Sequence, residues 1–134
     1  MTALKKALAD GTIDCIATHH LPHEQDSKMT EFEYAAFGMI GLETCYPALR
    51  TAVPEISEEK WVDLLSLNAR KIFGLSRPSV AVGQPASLTI YDPEGSTEVT
   101  PQFFRSRSRN SAFLGKTLKG RVLGTCHKGQ LTLR

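Results

Sequence analysis

The chain has 134 residues, 41% of them hydrophobic and 22% charged, with a formal net charge of +2; this is the profile of a single moderate-sized domain with a core of its own, not of a disordered or strongly polyionic chain. No apolar run approaches the roughly 20 residues of a membrane helix, and no basic stretch followed by an apolar core makes a signal peptide. Cys15, Cys45 and Cys126 lie far apart and lack the spacing of a disulfide framework or a thiolate zinc site, so they read as small hydrophobes in a reducing compartment, with the cytoplasm as the expected location.

Residues Thr2 to Ala9 have helix-forming composition, with Leu4, Ala7 and Leu8 on one side and Asp10-Gly11 as a stop signal. The run Ile13 to Ala17 follows after a very short connection and is apolar except at Asp14, the pattern of a strand covered on both faces. Cys15 is its strongest core candidate. Helix followed by buried strand suggests a parallel α/β sheet, in which ligands bind beyond the C-terminal ends of the strands. That position holds His19-His20-Leu21-Pro22-His23, with three of the chain's four histidines, and is the candidate ligand site. No second cluster of His, Asp and Glu completes a metal cage or an acid–base pair.

Glu24 to Thr30 reads as loop, and Glu31 to Met39 as an irregular or helical segment interrupted by Gly38 and Gly41. Leu42 to Tyr46 can begin a helix that admits Pro47 only in its first turn, and Pro54 closes that region. Ser57 is a natural N-cap, Glu58 and Glu59 suit a helix N-terminus, and Trp61, Leu64 and Leu65 form an inward stripe. Asn68 to Gly74 is a short helical unit in which Ile72 and Phe73 are expected to pack.

After Arg77-Pro78 the period changes. Ala86 to Tyr91 alternates apolar and polar residues up to a turn at Asp92-Pro93-Glu94-Gly95, and Val122 to Cys126 with Leu131 to Leu133 flanks a hairpin turn at Lys128-Gly129, beside which His127 is exposed or structural. A boundary falls near residues 74 to 84, and the later strands are too few for a secure sandwich of their own, so they read as completing a larger sheet. Arg105, Arg107, Arg109, Lys116, Lys119 and Arg121 form a basic tract with interleaved Phe103, Phe104 and Phe113. Without a zinc-finger spacing or an RNP-like strand, it reads as a solvated connection and not as a nucleic-acid surface.

Five blocks carry a more specific signal: Gly11 to His23, Phe37 to Thr44, Asn68 to Leu75, Ile90 to Pro93, and Ser108 to Gly115 with Lys119 to Val122. In this order they resemble the C-terminal end of dihydroorotases. The resemblance implies an α/β fold in which residues 1–76 are the last helix and strand units of an amidohydrolase-type (β/α)8 TIM barrel with its His loop, and residues 77–134 are strands of the accessory β domain. It puts His19 where the family has its catalytic, metal-touching aspartate, His23 at the histidine that hydrogen-bonds substrate, and Gly38 and Gly41 in a loop beside the substrate. His20 is then a loop-shaping neighbour and Glu43 orients a helix or loop. An imidazole offers one lone pair at a time, so His19 cannot bind metal and take the water's proton at once as a carboxylate can.

The family's His-x-His pair and later barrel ligands are not in this sequence, and a whole barrel takes about 250 residues. The implied reading is part of a zinc-dependent cyclic amide hydrolase of pyrimidine biosynthesis, inactive as an isolated piece and without stoichiometric zinc, whose partners are the rest of the barrel, a small cyclic amide and possible further copies of itself. The alternatives are a non-catalytic homologue serving as a binding or assembly partner, and a hydantoinase-like amidohydrolase.

Overall fold

The computed structural model describes residues 2–134. In chain order it has helices α1 (Thr2–Asp10), α2 (Cys45–Ala52), α3 (Glu58–Val62) and α4 (Asn68–Ile72), then strands β1 (Ser87–Glu98), β2 (Thr117–His127) and β3 (Gln130–Leu133). A π-helical turn, Asp63–Leu67, joins α3 to α4, so the inward stripe and the unit after it form one continuous helical stretch. Asn68 N–H reaches back to Asp63 O, the i→i−5 bond of the wider turn.

Local chemistry explains the helix ends. Ser57 is extended and its hydroxyl accepts the Lys60 N–H, with Glu58 and Glu59 in the first turn. Pro47 is the third residue of α2, where its missing N–H breaks no helical bond. Trp61 and Leu64 are 1% and 0% exposed. Together with Tyr46, Val53 and Ile56 they form one apolar cluster, against which Leu8, Ile16, Leu65, Tyr91 and Val122 pack. Ile40, Val99, Phe104 and Leu118 form a second, covered by Ala48, Phe103 and Phe113. Helix α2 supplies residues to both clusters and lies on the β1–β2 ribbon.

The three strands form one antiparallel sheet in the order β1-β2-β3. The hairpin falls where expected: Lys128 and Gly129 both have positive φ, +48° and +75°, as a two-residue type I′ turn requires. The expected turn at Asp92 to Gly95 is instead a bulge within a longer β1, where the register to β2 shifts between Asp92 and Ser96. Asp92 still makes its turn-like bond, Oδ1 accepting the Glu94 N–H at 3.0 Å, but the chain continues in the same ladder.

Three further expectations are corrected. Ile13 to Ala17 is neither helix nor paired strand. Its Ile16 N–H goes to Leu64 O at 2.9 Å and its Ile13 N–H to Ala7 O at 3.0 Å, because no neighbouring strand among the described residues offers a parallel ladder. Ile13, Cys15 and Ile16 are accordingly half-buried, not buried. Ile72 and Phe73, expected to pack, are 56% and 74% exposed, since no described element covers that end of α4. Cys15 is not a core residue: all three cysteines are free and half-buried, and burial pushes the Cys45 thiol up.

Replacing the fully buried Leu64 by alanine is expected to cost about 2–5 kcal/mol in chemical denaturation. Burial, helped by the hydrogen bond to Glu58, pushes the Tyr46 phenol above its ordinary value of 10. Its contribution is intact below pH 10 and is lost as pH climbs past 10, where the unfolded chain ionises first. Stability measured between pH 9 and about 11 is expected to fall less steeply in Tyr46→Phe than in the parent sequence.

Candidate functional site

The His loop is held against two other segments. Leu21 N–H donates to Met39 O at 3.0 Å, and Ile40 N–H to Asn110 O at 3.0 Å. The Asn110 side chain completes the join: Nδ2 donates to Leu21 O at 2.9 Å and Gly38 O at 3.3 Å, and Oδ1 accepts the His23 N–H at 3.4 Å. One amide thus satisfies both loops from within the polar connection between β1 and β2. Its signal was the Ser108 to Gly115 block, which carries no chemistry until the chain folds back. Lys28 adds a second tie, donating to Gly38 O at 2.7 Å and to Ala36 O.

Each histidine has a distinct state. His19 is exposed and has φ +44°, a left-handed conformation that His, Asn and Asp adopt more readily than most residues; its imidazole makes no hydrogen bond among the described residues. His20 Nδ1 accepts the N–H groups of Gly41 at 3.0 Å and Leu42 at 3.3 Å. A lone pair used there leaves the proton of the neutral ring on Nε2. His23 lies 2.7 Å from Phe37 O through Nε2; a carbonyl only accepts, so Nε2 carries the proton and the Nδ1 lone pair is left over.

Gly38 and Gly41 act first on the His loop itself. Gly38 has φ +95°, and a Cβ there would lie 2.8 Å from Leu21 Cβ; a Cβ on Gly41 would lie 2.9 Å from Thr18 O. The bare backbone lets residues 38–41 lie flat on residues 18–21. Glu43 orients a loop: its carboxylate accepts the N–H groups of Arg105 and Ser106 at 3.1 Å and pairs with Arg134. Arg105, Arg107 and Arg109 are exposed in the connection between β1 and β2, and His127 is exposed near Ser87 Oγ at 3.4 Å.

Zinc is a poor match for this donor set. No three His, Cys, Asp or Glu side chains lie close enough to hold a metal ion among the described residues. His20 and His23 each have one ring nitrogen engaged with backbone, and recruiting His20 Nε2 as a ligand would require its proton to leave or the hold on Gly41 to break.

With the geometry in view, comparison with known proteins places the chain. No family model matches it. It superposes on L-hydantoinase (dihydropyrimidinase) from Arthrobacter aurescens with a TM-score of 0.86 at 28% identity, covering 99% of this chain and 31% of that one. An inactive dihydroorotase-like domain of the Chaetomium thermophilum CAD-like multifunctional protein shares the fold, with a TM-score of 0.67 at 22% identity over 97% of this chain and 34% of that one. The fold is that of a portion of an amidohydrolase. In sequence the chain is 44% identical to the dihydroorotase of Geobacter sp. (strain M21) over 131 residues, 96% of this chain and 31% of the relative. It belongs to the dihydroorotase-like amidohydrolases, and spans about a third of the length of the curated relatives it matches. No helix among the described residues is long and apolar enough to cross a membrane.

Replacing Asn110 by alanine leaves the Leu21 carbonyl and the His23 N–H without their partner, while Gly38 O keeps Lys28, a cost of about 1–3 kcal/mol. Amide hydrogen exchange is expected to accelerate at Leu21, His23 and Ile40 while the β1–β2 amides keep their protection.

Proposed function

We propose that this chain is the C-terminal part of a dihydroorotase-like cyclic amide hydrolase of pyrimidine biosynthesis, acting in the cytoplasm, with residues 1–76 closing a (β/α)8 barrel and residues 77–134 contributing to its accessory β domain. The observation that carries the reading is the join made by Asn110: it presents the loop bearing His19 and His23 together with the glycine loop, as one half of a site. The other half lies in the remaining two-thirds of the length that the relatives have. The many exposed large apolar side chains, Phe32, Phe37, Phe73 and Val82 among them, support the rest of the barrel as partner.

Within that reading His23 binds substrate through Nδ1, the ring nitrogen left over by its bond to Phe37 O, and Gly38 and Gly41 let backbone approach the cyclic amide. His19 stands at the position of the family's aspartate. Among the described residues no three His, Cys, Asp or Glu side chains lie close enough to hold a metal ion, and within this reading the part played by the chain's own residues is to position groups around the site. A non-catalytic homologue is the second reading, and the observation that favours it is His19 itself, an exposed imidazole where the chemistry calls for two carboxylate oxygens.

The 134-residue chain is expected to show no dihydroorotate hydrolysis and less than one tightly bound zinc per chain, measured by ultraviolet assay and metal analysis. Turnover by the chain alone would overturn the half-site reading. In a longer protein containing this chain, turnover only after His19→Asp would assign the non-catalytic alternative to the loss of that one carboxylate, and turnover with His19 in place would exclude it.

A further inference from the structure

We propose that the concavity where the end of β1, the turn Pro101–Phe103 and strand β2 meet is an anion site that takes a phosphate monoester through Arg105 and Arg121. It shares no residue with the His loop and does not depend on the function proposed above. The cavity measures about 470 Å³ and is lined by Arg105, Arg121 and Arg134 against a single carboxylate, Glu98.

The three guanidinium groups are not equivalent. Arg134 pairs with Glu43 and lies over the Phe103 ring, 4.1 Å from its centroid. Arg105 touches only Leu133 O with its guanidinium, at 3.5 Å. Neither Arg105 nor Arg121 makes an ion pair among the described residues. Burial holds the Arg134 pKa below its ordinary value and the charge of Arg105 lowers it further, against the pull of Glu43. The charges of Arg105 and Arg134, which line the same concavity, therefore oppose each other, and an anion there relieves that repulsion.

The geometry of the charges selects the ligand. A planar guanidinium offers paired N–H donors that match phosphate and carboxylate oxygens, and Gln102 and Ser96 add neutral donors at the rim. Two unpaired cations fit a dianion better than a monoanion. Phe103 and Val122 supply an apolar wall, which inorganic phosphate leaves uncovered and the organic group of a monoester covers. The basic tract, which reads in sequence as a solvated connection, thus contributes a site at its two ends, where Arg105 and Arg121 line one concavity.

Titration calorimetry of the 134-residue chain at low salt tests this with phenyl phosphate, inorganic phosphate and acetate as probes. Phenyl phosphate is expected to bind at one saturable site, more tightly than inorganic phosphate, with acetate showing no saturation; Arg105→Ala and Arg121→Ala are each expected to weaken it about tenfold. Acetate binding as tightly as phenyl phosphate would assign the site to carboxylates and overturn the proposal, as would unchanged affinity in both alanine variants. Amide chemical-shift mapping on the unsubstituted chain decides the matter without any variant. Shifts are expected at Gln102, Phe103, Arg105 and Arg121, and shifts confined to other residues would reject the site.

Discussion

The contact of Tyr46 with Gly120 is the constraint on which the rest of the structure depends. Gly120 has φ +81°, and a Cβ there would stand 2.8 Å from Tyr46 Cε1, so only glycine allows the ring to lie on β2. From that seat Tyr46 packs on Tyr91 of β1 with centroids 4.6 Å apart, and its hydroxyl donates to Glu58 at 3.0 Å in the first turn of α3. One side chain therefore ties α2 to two strands and to the next helix. Arg50, one turn further along α2, lies 3.3 Å from the same Glu58 carboxylate and donates to Pro54 O at 2.7 Å, which fixes the connection between α2 and α3.

The His loop is positioned from both sides of this arrangement. Leu64 O, on the buried face of the helical stretch, accepts the Ile16 N–H, and the Asn68 side chain donates to Asp14 O at 2.7 Å; the segment leading to His19 is therefore hung on the helices even without a strand beside it. Asn110 holds the far end of the loop from the connection between β1 and β2. Backbone carbonyls at Leu21, Phe37 and Gly38 all find donors in this way, the accounting that a half-buried loop must satisfy.

Charge is distributed by the same logic. Glu43 accepts two backbone N–H groups and pairs with Arg134, and so acts as a half-buried staple between the start of α2, the connection after β1 and the C-terminal residue. The guanidinium groups that this staple does not pair with, those of Arg105 and Arg121, are the ones left around a shared concavity. A carboxylate committed to structure and guanidiniums left uncommitted explain why one charged cluster is a joint and its neighbour a candidate binding surface.

Local sequence determined what short-range chemistry can decide. Ser57 as N-cap, Pro47 in a first turn, the Trp61 and Leu64 stripe, and the Lys128-Gly129 hairpin all follow from capping, φ restriction and period, which act within a few residues. The order of the sequence blocks also revealed the family, because spacing along the chain survives without coordinates. Only the tertiary structure decided that Ile13 to Ala17 lacks a ladder and that Asp92 to Gly95 is a bulge, since both depend on which strand lies alongside. It alone brought Asn110 to His23, 87 residues away in sequence, and Arg105 to Arg121. Hydrogen bonds and charges between distant segments leave no periodic trace in the sequence, so their partners exist only once the chain has folded back on itself.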